Sequence, residues 1–224
     1  MIWIIFIGIA VVSYIVQANL NSKFKRYSRE RLAGGLTGRE VAQKMLRDHG
    51  IYDVAVTCTP GTLTDHYNPA TKTVNLSDGV YASCSVAAAA VAAHECGHAV
   101  QHATGYAYLQ MRSKLVPAVN FASKWVTWVI LAGIVLIETV PSLLAIGIGL
   151  YAITALFSII TLPVEINASQ RALKWLDTAG ITYAGTREHA QDALRSAAYT
   201  YVVAALSSLA TLVYYIIIFM GRRD

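Results

Sequence analysis

What this chain of 224 residues has little of is charge: 14% of its residues are charged, against 55% that are hydrophobic, where an average soluble domain is about one quarter charged. That scarcity excludes an ordinary water-soluble globule for the whole chain and requires the apolar excess to be gathered into segments. Cysteine is also scarce. Cys58, Cys84 and Cys96 are odd in number and lack the spacing of a disulfide framework, and no pair has the short spacing of a cysteine-based zinc site. They suit a reducing compartment. The first apolar stretch has no basic residue ahead of it and no small-x-small cleavage site, so it reads as a retained anchor and not as a removed signal peptide. Nucleic-acid motifs are missing as well. The net charge of +5 is therefore a matter of membrane topology, and no nucleic-acid partner is expected.

Charge is absent from four stretches, 1–22, 125–137, 139–164 and 196–220, of which three reach the ~20 residues that span a bilayer. The second is the weakest. It gains from Lys124, which can snorkel, from Trp125 and Trp128 at the headgroup boundary, and from Glu138 at the far interface. The expectation is a mainly α-helical integral membrane protein in contact with the lipid bilayer. Its four transmembrane helices fall at 1–22, 121–140, 142–163 and 196–220, the middle two forming a hairpin turned at Pro141 and Ser142. A small α+β domain at 23–120 and further helices at 164–195 lie outside the bilayer. Lys23, Lys25, Arg26, Arg29 and Arg31 follow the first span directly, and positive charge is retained on the cytoplasmic side. All lysines and arginines except Arg222 and Arg223 then face the cytoplasm, as in a multi-pass protein of a bacterial plasma membrane.

Within 23–120, Thr37 and Glu40 are spaced as a capping box, Val41, Met45 and Leu46 follow at helical spacing, and Gly50 can close the helix. The following residues, rich in Val, Thr and Tyr and punctuated by Pro60-Gly61 and Asn68-Pro69, predict two or three short strands, the last at 72–76. From about Ser83 to His102 alanine dominates, Gly97 is the one break, and Gly105 ends the run, so a helix is predicted. Four potentially charged residues, His94, Glu95, His98 and His102, would be costly in lipid, which places this helix in the soluble or interfacial domain. Thiol accessibility at Cys96 is expected to report that depth.

The helix carries the sequence His94-Glu95-Cys96-Gly97-His98. Residues four apart project from one face, so both imidazoles can reach one ion. Glu95, one step round, can reach a metal-bound water without occupying the metal, which is where a general base is needed. A catalytic zinc takes three protein ligands and keeps one position open. Three residues compete for the third place. His102 shares the face but lies ~12 Å along the axis from His94. Glu165, in "LPVEINASQRAL", follows Pro163, which can open a helix, and a transmembrane hairpin would return it to the side of His94. Asp177 would serve if the helix lay inside the bilayer, as in an intramembrane protease of the site-2 class.

The stretches "LTDHYNP", "KTVNLSDGVY", "AAAAVAAHECGHAVQ" and "LPVEINASQRAL" together resemble the membrane-embedded neutral zinc metallopeptidases of the YugP type, over nearly the whole chain. More distantly, two spans between a His-Glu-x-x-His helix and a Glu-bearing helix resemble the HtpX and CAAX-prenyl endopeptidases. The resemblance implies a gluzincin-like fold, Zn2+ as cofactor, His94, His98 and Glu165 as its ligands and Glu95 as the catalytic residue. Those relatives carry an aspartate four residues after the third ligand, where this chain has Ser169; Ser169 or Asn167 would take over its orienting hydrogen bond. It also implies an edge strand that binds substrate backbone, with 72–76 as the candidate. An oxyanion donor is expected among His66, Tyr67, Tyr106, Arg171 and His189. The function expected is a zinc endopeptidase that hydrolyses membrane or membrane-proximal polypeptides by Glu-assisted attack of zinc-bound water. A non-catalytic zinc-binding scaffold and a site-2-like protease are the alternatives.

Overall fold

The computed structural model describes residues 2–221, with side chains from Phe6 onward. Met1 of the first expected span, and Arg222 and Arg223 of the topology argument, lie outside the described residues. The described chain runs α1 (Ile2–Tyr27), α2 (Gly38–Asp48), β1 (Ala55–Thr59), β2 (His66–Asn68), β3 (Thr73–Ser77), α3 (Asp78–Tyr81), α4 (Val86–Ala103), α5 (Ala107–Val135), α6 (Pro141–Thr178) and α7 (Ala184–Met220). It divides into two compact units. One is the chain up to Tyr106 with Val164–Thr200, and the other is Ala107–Pro163 with the chain from Tyr201 on.

The first unit is built around α4. Ser85 caps its start by accepting from the Ala88 N–H, and Gly105, at φ +64°, follows its end in the left-handed conformation that glycine adopts without strain. Most of its 18 residues are buried, because alanine leaves room for neighbours on every side. One neighbour is α2, which starts with the expected capping box: Glu40 N–H donates to Thr37 Oγ1, and the Glu40 carboxylate accepts from the Thr37 N–H at 2.8 Å. Val41, Met45 and Leu46 form its buried face. The sheet order is β1-β3-β2, with β1 parallel and β2 antiparallel to β3. This overturns one expectation. The strand expected at the edge is the central one, paired on both sides, and the outer strands are β1 and β2. Val74 and Leu76 of β3 are fully buried in the core, and the middle of a sheet is where such side chains are covered.

In the second unit α5 and the first half of α6 form the expected hairpin. Its turn lies at 136–140, just before Pro141, which opens α6, the position where a missing N–H costs nothing. The two helices approach closely where small residues permit: a Cβ on Gly133 would lie 2.6 Å from Leu144 Cα, and one on Gly147 would lie 2.8 Å from an Ile130 side-chain carbon. The rings of Tyr151 and Tyr215 meet edge to face at 5.6 Å, joining α6 to α7. Among the described residues three helices, α5, α6 and α7, are long and apolar enough to cross a membrane.

Pro163 does not end a helix. α6 runs unbroken from Pro141 through Pro163 to Thr178, so Glu165 sits inside a long helix and not at a helix start. One lost N–H bond is a small part of the hydrogen-bonded ladder of a 38-residue helix, so a proline inside it need not open a new one. Likewise α7 passes through residue 196, the expected boundary, without a break.

Candidate metal centre

α4 places His94 and His98 one turn apart, their rings edge to face with centroids 4.8 Å apart. α6 packs against this same turn because residue 97 is glycine. A Cβ there would come within 2.6 Å of the Ala168 carbonyl oxygen, closer than real contacts allow, so only glycine admits the α6 backbone at this depth. That approach carries in Glu165 and Ser169, one on each side of Ala168. Glu165 Oε2 lies 3.2 Å from His94 Nε2 and 3.4 Å from His98 Nε2. One donor atom from each of the three residues falls within 4.8 Å of the others, a group able to hold a metal ion.

The remaining ring nitrogens are also engaged. Gln101 is fully buried, and its Nε2 donates to the Val164 carbonyl at 2.8 Å and to Asn167 Oδ1 at 3.0 Å. Those two acceptors fix which end of the amide is oxygen. Oε1 therefore faces His98 Nδ1 at 3.0 Å and can only accept, so Nδ1 carries the proton and Nε2 keeps its lone pair for a metal. His94 Nδ1 meets Ser169 Oγ at 3.1 Å, in the place where the resemblance implies an aspartate. Asn167, the other candidate for that role, instead lies behind Gln101.

Glu165 is 3% exposed and His98 7%. A buried carboxylate needs a compensating cation or a set of donors. Burial works to raise the Glu165 pKa, but the hydrogen bonds from His94 and His98 prevail and hold it below the usual carboxylate range. For His98, burial works to lower the pKa, while the hydrogen bond and charge of Glu165, with the charge of Glu95, lift it above the ordinary imidazole value. The pocket therefore favours a positive charge between the three side chains. Two imidazole nitrogens and one carboxylate oxygen are a donor set of catalytic zinc, and these residues fit the ion. Glu95, also buried, follows His94 directly in the helix.

The other candidates are placed elsewhere. His102 Nδ1 is 2.8 Å from the Tyr67 hydroxyl. Asp177 pairs with Arg187 at 3.5 Å on an exposed surface, which removes the ligand that a site-2-like centre would need. His189 is stacked on Tyr27 and bonded to Glu30 at 2.9 Å. His66 is held between the Thr64 carbonyl and the Asn75 amide. Arg171 donates to Asn167 and lies over the Tyr106 ring. Cys96 is fully buried in the protein core, and burial pushes its thiol pKa up; its accessibility therefore reports packing and not membrane depth. Sequence reasoning missed Gln101. Its signal was a polar residue three positions past His98 on a helix with little other polarity.

Two comparisons with known proteins find similar sequences. A family model described as "Putative neutral zinc metallopeptidase" matches residues 2–220. A Bacillus subtilis (strain 168) protein described as "Putative membrane protease YugP" is 41% identical over 222 residues, covering 98% of each chain. No solved structure matches.

Proposed function

We propose that this chain, which belongs to the neutral zinc metallopeptidase family, is a zinc-dependent endopeptidase that cleaves membrane or membrane-proximal polypeptides. The observation that carries the proposal is the convergence of His94 Nε2, His98 Nε2 and Glu165 Oε2 in one buried pocket beside Glu95. When bound, zinc supplies Lewis-acid activation of a water molecule and of the substrate carbonyl.

The chain's own residues do the rest. His94 and His98 hold the ion through Nε2, oriented from behind by Ser169 and Gln101. Glu165 completes the set and supplies the negative charge that a dication favours. Glu95 takes the proton from the attacking water and returns it to the leaving amine. Substrate backbone adds along the outer edge of β2, which packs beside α4, and not along the doubly paired β3. α1, a helix of 26 residues whose first 21 carry no charge, is the fourth span. The basic run after it sets the active site on the cytoplasmic face.

The test is zinc content and hydrolysis of an unfolded membrane-protein substrate by the detergent-purified chain. Glu165→Ala should lower the zinc content, whereas His102→Ala and Asp177→Ala should not. Glu95→Gln should keep zinc and lose activity by about 10²- to 10⁴-fold, the contribution of a general base. A Glu95→Gln protein as active as the parent would overturn the mechanism, and a parent that holds zinc but cleaves nothing would leave a binding scaffold.

A further inference from the structure

The first unit holds a second polar cavity, of about 420 Å³, between the end of α2 and the later part of α6, lined by His49, Asn167, Gln170, Arg171, Lys174 and Trp175. Its positive charge is not neutralised from within. The neighbouring acids are taken: Asp48 accepts from Lys44 at 2.9 Å and from Trp175 Nε1 at 3.0 Å, and Asp177 pairs with Arg187. Among the described residues, no carboxylate pairs with Arg171 or Lys174. Arg171 is half-buried and Lys174 exposed, so the two cations share one open cleft that presents positive charge to an incoming anion.

Arg171 is also braced. Its Nε donates to Asn167 Oδ1 at 2.8 Å and its guanidinium lies 5.9 Å from the centroid of the Tyr106 ring, which leaves both terminal NH2 groups for a ligand. The same Asn167 oxygen accepts from Gln101, so the brace is anchored in the buried network behind His98. A pre-oriented guanidinium with a lysine one turn further on suits an oxygen-rich anion. Depth narrows the ligand. Arg171 lies seven residues beyond Val164, the last of the uncharged stretch, or ~10 Å along a helix rising 1.5 Å per residue. That is just past a headgroup layer of ~5–8 Å, which long basic side chains reach back into by snorkelling, and basic pockets at this level bind anionic headgroups.

We propose that this cleft binds a phosphate-bearing anion, the headgroup of an anionic membrane lipid, on Arg171, Lys174 and Gln170. The site is distinct from the metal centre, and its occupancy requires neither zinc nor hydrolysis.

The full chain, purified in mild detergent with a mixture of phosphatidylglycerol and phosphatidylcholine, would be examined by native mass spectrometry for retained lipid. The parent should retain phosphatidylglycerol about tenfold over phosphatidylcholine, the scale expected for two basic contacts. R171Q/K174Q should lose that preference, and Lys174→Arg should keep it. Displacement by millimolar inorganic phosphate would show that the cleft recognises the phosphate group from either source. Resistance to it would assign the site to the anchored lipid. No preference in the parent, or an unchanged one in R171Q/K174Q, overturns the proposal. If the double variant does not fold, Lys174→Gln, at an exposed position, decides: full retention of phosphatidylglycerol overturns it. Because lipid retention is read without catalysis, its failure is separable from failure of the peptidase reading.

Discussion

α4 and α7 are both apolar helices, yet α4 buries most of its length inside the first unit, whereas the most apolar window of α7 is only 6% buried. Composition explains the difference. α4 is made mainly of alanine, with glycine at the point of closest approach, and its small side chains let other elements crowd it from every side. The uncharged part of α7 mixes alanine, serine and threonine with Leu, Ile, Val and Tyr, and these larger side chains present apolar surface that the described residues do not cover. A helix buried in protein and a helix apolar enough to cross a membrane thus share hydropathy but differ in how many large side chains they carry. The polar residues follow the same division. His94, Glu95 and His98 are affordable in α4 because the surrounding protein supplies Glu165, Ser169 and Gln101 as partners, which lipid cannot do.

The sharpest way to break this contrast is a matched pair of leucine truncations. Leu76 of β3 is 0% exposed and Leu131 of α5 is 55% exposed. Leu76→Ala should lower stability by about 2–5 kcal/mol, as cavity-forming substitutions in packed cores do. Leu131→Ala should change the unfolding free energy in detergent by less than about 0.5 kcal/mol, the range for sites outside such cores. Comparable losses at both sites would mean that Leu131 is covered by protein and that the second unit is not bounded by lipid.

A smaller effect tests the device that both regions share. Gly97 admits α6 to α4, and Gly133 admits α6 to α5. Gly97→Ala forces the Ala168 backbone to move, at about 1–3 kcal/mol for overpacking. It should also reduce zinc retention, because Glu165 and Ser169 ride on that backbone. Gly133→Ala makes the same kind of clash in the apolar hairpin and should weaken helix pairing without reducing zinc per chain. Metal analysis of the two purified variants separates these roles, and zinc loss in Gly133→Ala would show that the hairpin also shapes the centre.

These assignments differ in how far the amino-acid sequence alone could carry them. The capping box at Thr37 and Glu40, the glycine ends at Gly50 and Gly105, and the alanine helix are local, so their residues announced them. The His94-Glu95-x-x-His98 turn is local too. Glu165 is not. Its place depended on the path of a hairpin, and it was singled out only through likeness to a family. The reason it reaches the centre, Gly97 against Ala168, is a three-dimensional contact with no signature beyond one glycine in an alanine run. The edge position that the family likeness implied for β3 was overturned because strand order depends on loop paths between strands, which no local pattern of residues encodes. Pro163 misled because the first turn of a helix is a preferred place for proline and not a required one, and a long helix tolerates one missing N–H bond in its interior.

The smallest expected effect lies where α7 changes character, at Asp192 just before its uncharged stretch begins at residue 196. Asp192 accepts from Lys23 Nζ and from the Tyr27 hydroxyl, each at 2.7 Å, and so ties the polar ends of α1 and α7 together. Burial works to raise its pKa, but the bonds from Lys23 and Tyr27 prevail and hold it below the ordinary carboxylate value. A depressed folded-state pKa contributes stability that is present above the unfolded value of about 3.9 and is lost as pH falls through the lower, folded one. Unfolding measured between pH 6 and about 3 should therefore show Asp192→Asn losing less stability on acidification than the parent. At pH 7 the variant should be weaker by about 1 kcal/mol or less, since the pair is partly solvated. The loss should shrink in high salt if the junction lies in water, where exposed charges are screened. A loss of several kcal/mol that salt does not touch would place this end of α7 in a low-dielectric environment and move the boundary between the two kinds of helix toward α4.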